Sequence, residues 1–535
     1  MSRTAPLDNR LGDFTADRGI LPLIAMAALI GVVSAYVALA LVRLIALFTH
    51  VFYYHTIGTS EVSPAGNRLG LWALPVPMVG GLIVGLMARY GSERIRGHGI
   101  PEALEAILIG RSRMSAKVAI LKPLSSAIAI GTGGPFGAEG PIIMTGGAFG
   151  SLFAQAFHLS SAERKTLLVA GAAGGMTAIF GTPLAAALLA VELLLFEWKP
   201  RSFVPVACAA AVAAAIRVPL LGAGPLFPVT PHATLPWTEL VTALLLGLAA
   251  GFASGGLTWL VFACEDLFRK LPIHWMWWPV LGGAVVGLGG LLYPRALGVG
   301  YDTIRDLLSG RLVGLVLLGL LVTKAVIWAV ALGSGTSGGV LAPLLIMGGS
   351  LGALEAHWIP GGDSGLWAAI SMGAMMGGTM RSPFTAVAFM LELTHDINAL
   401  PAVFIACIAA HGVTVLLMKR SILTEKVARR GYHLTREYAV NPLQLLRVRD
   451  VMEPSLVARG DGGSVVTYPD DLLETAMRKL LEHEAEVLPV ASPDDPSHVV
   501  GYVERSAILG AWVQLTRDEH VREEGWLGRL RKAPP

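Results

Sequence analysis

The sequence predicts an all-α polytopic membrane domain made of two internal repeats with broken helices, followed by a small α/β domain. Three observations predict it. Of 535 residues, 54% are apolar and only 15% are charged, against about 25% charged in soluble domains. Long apolar runs follow one another, several of them shortened or interrupted by Gly and Pro. Two pairs of matching segments recur in the same order at nearly the same spacing.

The elements follow in order. Residues 1–19 are mostly polar and are expected in the cytoplasm. Residues 20–48, "ILPLIAMAALIGVVSAYVALALVRLIALF", carry one charge, Arg43. A spanning helix needs about 20 mostly apolar residues. The run is too long for a signal-peptide core and has no small-residue cleavage site behind it, which makes it a retained helix. Further apolar runs stand at 71–88, 118–131, 141–157, 167–196, 203–222, 240–264, 275–293, 312–332, 340–358, 365–378, 383–393 and 399–418. Short, interrupted apolar segments point to a transporter-type site near the bilayer midplane. "KRSILTEKVARRGYHLTREY", starting at residue 419, is rich in Lys and Arg and places the C-terminus in the cytoplasm. Residues 447–513 read as a separate soluble module: "VRDVM" and "VLPVAS" as strands, "DLLETAMRKLLEHEA" as a helix, "VVGYVERSAILGAW" as strand then helix. Residues 519–535 form a charged tail.

The repeat is visible in the residues. "GPIIMTGGAFGSLFA" (140–154) matches "APLLIMGGSLGALEA" (342–356), and "GTPLAAALLAVEL" (181–193) matches "RSPFTAVAFMLEL" (381–393). The offsets are 202 and 200 residues, and the halves span about 20–225 and 236–420. Duplicated halves are a common way for transporters to build a central site.

Net charge is +3, which selects no partner class beyond lipid and gives no reason to expect nucleic acid. Cys208, Cys264 and Cys407 are scattered, with neither a disulfide framework nor metal-ligand spacing. No cofactor or metal is expected.

Three glycine-rich loops carry the chemistry: "GHGIPEALEAIL" (97–108), "GTGGPFGAEGPII" (131–143) and "GSGTSGGVLAPLL" (333–345). In each, glycines precede a Pro and an apolar helix follows. Pro is favoured in a first helical turn because its missing N–H has no partner there. Each loop therefore ends at a helix N-terminus, with unpaired N–H groups and the positive end of a dipole. Three such termini converging in a membrane would bind an anion without a full positive charge. A nucleotide loop would need Lys after its glycines, and none follows. Close packing through Gly explains part of the glycine count, but not Glu139. An intramembrane carboxylate is a functional-site hypothesis by default. At a helix N-terminus Glu139 can occupy the anion position itself, and when protonated it can swing away. No nucleophile or metal-ligand set accompanies it, so an enzyme is not expected.

At these residues the chain resembles the CLC family of chloride channels and proton-coupled chloride exchangers. The signatures GSGIP, G-[KR]-E-G-P and GxFxP stand here as "GHGIP" (97–101), "GAEGP" (137–141) and "GVLAP" (339–343). They depart from the family at His98, Ala138 and Leu341. The resemblance covers nearly the whole membrane domain. It implies inverted halves and a homodimer in which each subunit has its own pore. It assigns Glu139 as the gating glutamate and an anion-binding set of His98, Gly99, Ile100, Ala138, Gly140, Val340 and Leu341. His98 stands where the family usually has a Ser. "SILTEKVARRG" (421–431) resembles SIYExxLxRxG, with Leu423 in place of the anion-site tyrosine. Chloride is expected, with nitrate and bicarbonate as alternatives. Glu192 matches the first of two family glutamates, while Leu193 replaces the inner proton-relay one. Glu192 and Glu197 are the candidates for a proton path, and the departure favours a channel or an unusual exchanger.

The C-terminal module resembles one CBS domain through "VRDVMEPSLVA", "EVLPVAS" and "VVGYVERSAIL". Such domains work in pairs, which implies pairing across the dimer. Glu504 and Ala507 replace the T/S-x-x-D pattern of nucleotide-binding versions, so weak or no ATP binding is expected. From a different class, the chain could be a membrane-anchored sensor without transport.

Overall fold

The computed structural model describes residues 19–359, 363–431, 443, 446–454, 465–493, 495, 498–518 and 522–523. The leading segment 1–18 and most of the charged tail lie outside the described residues. The chain forms two compact units, Met1–Ala154 with Lys165–Leu423, and Gln155–Arg164 with Thr424–Pro535.

The membrane domain is built of helices. The first half runs α1 (Ile20–Thr49), α2 (Pro75–Tyr90), α3 (Ile100–Leu108), α4 (Ala116–Gly131), α5 (Glu139–Gln155), α6 (Ser161–Phe180), α7 (Pro183–Leu189, continued by a π-helical turn Ala190–Leu195) and α8 (Pro200–Leu221). The second runs α9 (Trp237–Arg269), α10 (Trp278–Leu292), α11 (Tyr301–Leu308), α12 (Leu315–Gly333), α13 (Leu341–Glu355), α14 (Ser364–Met380), α15 (Pro383–Thr394) and α16 (Leu400–Leu417), followed by α17 (Ile422–Arg429). Among the described residues, seven helical segments are long and apolar enough to cross a membrane. Others, such as α3, α7 and α11, are too short. Pro opens α2, α7, α8 and α15, where its absent N–H costs no hydrogen bond.

The halves are related by a local two-fold, because equivalent residues contact each other reciprocally. A Cβ on Gly81 of α2 would collide with the carbonyl of Pro279, and one on Gly283 of α10 with the carbonyl of Pro77. Positions 81 and 283 are 202 apart, as are 77 and 279. Glycine at both places lets the two backbones touch. The same reciprocity joins α7 and α15. The Glu392 carboxylate accepts from the Leu184 and Ala185 N–H groups at 2.9 and 2.8 Å. The Glu192 carboxylate accepts from the Phe384 and Thr385 N–H groups at 3.2 and 2.8 Å. Each glutamate satisfies orphan N–H groups at the start of the other half's helix.

In the second unit, strands β1 (Leu159–Ser160) and β5 (Arg522–Glu523) pair antiparallel. β2 (Glu453–Pro454), β4 (Val499–Glu504) and β3 (Val487–Ala491) form an antiparallel sheet in the order β2-β4-β3. Helices α18 (Leu473–Glu482) and α19 (Arg505–Asp518) accompany it, around a core that includes Val448, Leu480, Val490, Val503 and Ile508. "VRDVM" is not a strand as its apolar pattern suggested. Val448–Asp450 is a 3₁₀ turn, its Val448 and Arg449 amides bonded to the carbonyls of Asp471 and Pro469, with Asp450 accepting from the Arg447 N–H at 2.8 Å. Residues 455–458 of the CBS-like segment "VRDVMEPSLVA" lie outside the described residues.

Candidate functional site

Each of the three glycine loops ends at a helix N-terminus: Gly99 precedes α3, Ala138 precedes α5 and Val340 precedes α13. Gly99 has φ +90°, a conformation that suits glycine and turns the chain abruptly into α3. The loops are stitched together by backbone hydrogen bonds. The Gly97 N–H donates to the Gly335 carbonyl at 3.3 Å, and the Gly338 N–H to the Gly97 carbonyl at 3.4 Å. Gly137 and Gly339, equivalent positions of the two halves, form an antiparallel bridge with N–H to carbonyl distances of 2.9 and 3.4 Å. A residue paired antiparallel with its own repeat mate marks the local two-fold. The broken helices of the two halves therefore meet here.

Glu139, the first residue of α5, is fully buried at this crossing. Its Oε1 accepts from the backbone N–H of Leu341, the first residue of α13. Its Oε2 is buried with no hydrogen-bond partner among the described residues. A Cβ on Gly137 or on Gly339 would overlap the carboxylate. The side chain thus lies in a slot made by two missing side chains and is held by an N–H at one oxygen only. An anionic group sits where the positive end of α13 points, and a short movement would free that position.

His98, Gly99, Ala138, Gly140, Val340 and Leu341 gather around this crossing. The backbone shows it: a Cβ on Gly140 would collide with the His98 carbonyl, and one on Gly99 would come within 3.0 Å of the Gly140 carbonyl. His98 is buried at 3% exposure, and Ile100 is the first residue of α3. Leu423 is fully buried in the first turn of α17.

The two proton-path candidates have other work. Both oxygens of Glu192 are engaged at the start of α15, where Oε2 also accepts from the Thr385 hydroxyl at 2.5 Å. Glu197, in the connection between α7 and α8, is surrounded by Lys199 at 3.0 Å, Lys165 at 3.5 Å and Arg201 at 3.9 Å, and accepts from the Ser202 hydroxyl at 2.5 Å. Burial pushes this carboxyl up, but Lys165, Ser202 and Lys199 together outweigh it and lower it to about 2. A group that stays ionised to that acidity does not carry protons near neutral pH. A proton path through these two glutamates would have to pass one carboxylate engaged at the start of α15 and one held among cations.

Two buried lysines escaped the sequence reading. Lys122 of α4 donates to the carbonyls of Ile95 and Gly97 at 2.9 and 2.7 Å and to the Ser337 hydroxyl at 3.0 Å. Lys324 of α12 donates to the carbonyls of Ala296 and Gly298 at 2.8 and 3.0 Å. They are repeat mates, 202 residues apart. Each grips a G-x-G turn that leads into a short helix. The signal was present as one Lys in each otherwise apolar run.

A family model described as "Voltage gated chloride channel" matches residues 80–415. The chain is 30% identical over 415 residues to the voltage-gated ClC-type chloride channel ClcB of Salmonella typhimurium, covering 75% of this chain and 98% of that one. It is 27% identical over 397 residues to a putative chloride channel protein ClcB-like of Ralstonia nicotianae, covering 72% and 92%. Among solved structures, a slow cyanobacterial Cl-/H+ antiporter superposes with a TM-score of 0.66 at 20% identity, over 78% of this chain and 98% of that one. A eukaryotic CLC transporter gives 0.65 at 20% identity, over 93% and 89%. These likenesses establish the fold. With seven membrane-capable helical segments, the chain is an integral, multi-pass membrane protein, and it belongs to the voltage-gated chloride channel (CLC) family.

Proposed function

We propose that this chain conducts inorganic anions, chloride foremost, along a membrane pathway that Glu139 opens and closes. The observation that carries the reading is the Glu139 carboxylate lying on the Leu341 N–H between Gly137 and Gly339. It occupies an anion position at the junction of two half-helices. Protonation would remove its charge and its reason to stay there, and a dissolved anion would take its place. The relatives' names, chloride channel and Cl-/H+ antiporter, agree with that chemistry. The engagement of Glu192 in capping and the held charge of Glu197 favour a passive, pH-gated pathway over strict proton exchange. Nitrate and bicarbonate are the competing anions.

The reading includes a homodimer, with the single CBS-like modules pairing across it. It also includes a bacterial inner-membrane location with both termini in the cytoplasm, and no enzymatic activity. Anion-substituted flux from purified protein in liposomes, with simultaneous pH recording, tests it. Anion flux with little proton movement supports it. Stoichiometric proton counterflow turns the reading to an exchanger, and absence of flux turns it to a sensor.

A further inference from the structure

Next to the Glu139 crossing lies a cavity of about 370 Å³ whose lining includes Ala138 and Tyr301. It opens beside the C-terminal end of α1, on the face opposite that helix's start. Exposed Glu61, Asp302 and Arg305 also line it. Arg217 of α8 lines it as well, and is only 6% exposed. Its Nη1 donates to the Gly222 carbonyl at 2.6 Å, while its Nε is buried without a partner among the described residues. Among the described residues no carboxylate forms an ion pair with Arg217. Gly181 leaves room for the group: a Cβ there would come within 3.2 Å of the guanidinium carbon.

Burying a charge without a counter-charge is costly. Buried arginines are ordinarily matched to carboxylates or phosphates, which their planar fork fits. A guanidinium left unmatched in a cavity wall near a proposed anion pathway offers an anion from solution a place to bind. We propose that Arg217 forms a separate anion-recruiting subsite in this cavity, which feeds the Glu139 position from that face. The ligand class is a small monovalent inorganic anion. Glu61 and Asp302 outnumber Arg305 among the exposed charges, and they repel a divalent anion twice as strongly. This inference rests on the anion-transport reading and adds a residue that the family motifs do not include.

The test is anion conduction by the full-length protein in planar bilayers, with chloride varied on one face at a time. Arg217→Gln is expected to raise the half-saturating chloride concentration on the cavity face by roughly five- to tenfold, with the opposite face and the maximal rate unchanged. Arg217→Lys keeps the charge and is expected to restore most of that affinity. Should Arg217→Gln not fold, Glu61→Gln, an exposed substitution, is expected to lower the half-saturating concentration on the cavity face only. Affinity unchanged by Arg217→Gln, or changed equally on both faces, overturns the subsite and assigns Arg217 to closing the end of α8. So does Glu61→Gln without effect. A wild-type protein that passes no anion defeats the transport reading instead, which keeps the two failures distinct.

Discussion

Gly137 lacks a side chain because the Glu139 carboxylate occupies the space a Cβ would need. Its φ is not positive, so alanine suits the backbone there, and the nearest atoms its Cβ would meet are those of the carboxylate. Gly137→Ala is therefore expected to evict the Glu139 side chain from its slot. In liposomes it should raise anion flux at neutral pH several-fold toward the level of Glu139→Ala. The double variant should equal Glu139→Ala alone, since the two changes act on one contact. Additive effects would place the glycine's influence elsewhere. Glu139 was legible in the sequence because a carboxylate on glycine-rich backbone between apolar runs has few structural uses. Lys122, Lys324 and Arg217 were equally exceptional charges in apolar runs, but no motif framed them. The lysines' partners, backbone carbonyls and for Lys122 also the Ser337 hydroxyl, are brought near only by the fold. The cap that Glu192 makes on α15 was hidden for a related reason: the Phe384 and Thr385 amides it meets lie 192 and 193 residues away in the chain.

Among elements, the crossed caps of α7 and α15 are the clearest stabilising device. A side chain that satisfies orphan N–H groups at a helix start contributes about 0.5–2 kcal/mol. Glu192→Ala and Glu392→Ala should each lower the melting temperature in detergent by a few degrees. Anion selectivity should not change, and an altered selectivity would tie the caps to the pathway. On the irregular segment 222–236, His232 bridges Asp396 at 2.5 Å and Asp363 at 3.0 Å, one carboxylate on each ring nitrogen. Burial pushes this imidazole down, but Asp396 and Asp363 outweigh it and raise it above the usual histidine value. The clasp therefore contributes its full stability below about pH 6.5, the ordinary value, and loses it as pH rises through the raised one. Thermal stability should fall over that window in the wild type, and His232→Gln should remove the slope. An unchanged slope would assign it to other groups. Helix starts were legible at this scale through Pro and Gly. The clasp was not, because its three members come from three separate segments.

At the scale of the molecule, the repeat does the organising. Two halves of eight helices place Gly137 on Gly339, α2 on α10 and α7 on α15. The sequence announced the repeat through two matched segments; the reciprocal contacts turn it into a two-fold whose axis passes by the Glu139 slot. The symmetry is broken where it matters, since the repeat mate of Glu139 is Leu341, which supplies an N–H in place of a charge. On the proposed reading, one half carries the gate and the other the seat it closes. The most direct measurement of that claim is chloride flux with simultaneous pH recording in liposomes, comparing wild type with Glu139→Gln from about pH 5 to 8. The account predicts wild-type flux that rises as pH falls and Glu139→Gln flux that is high and flat across the range. Flux in Glu139→Gln that still follows the wild-type pH profile would contradict it.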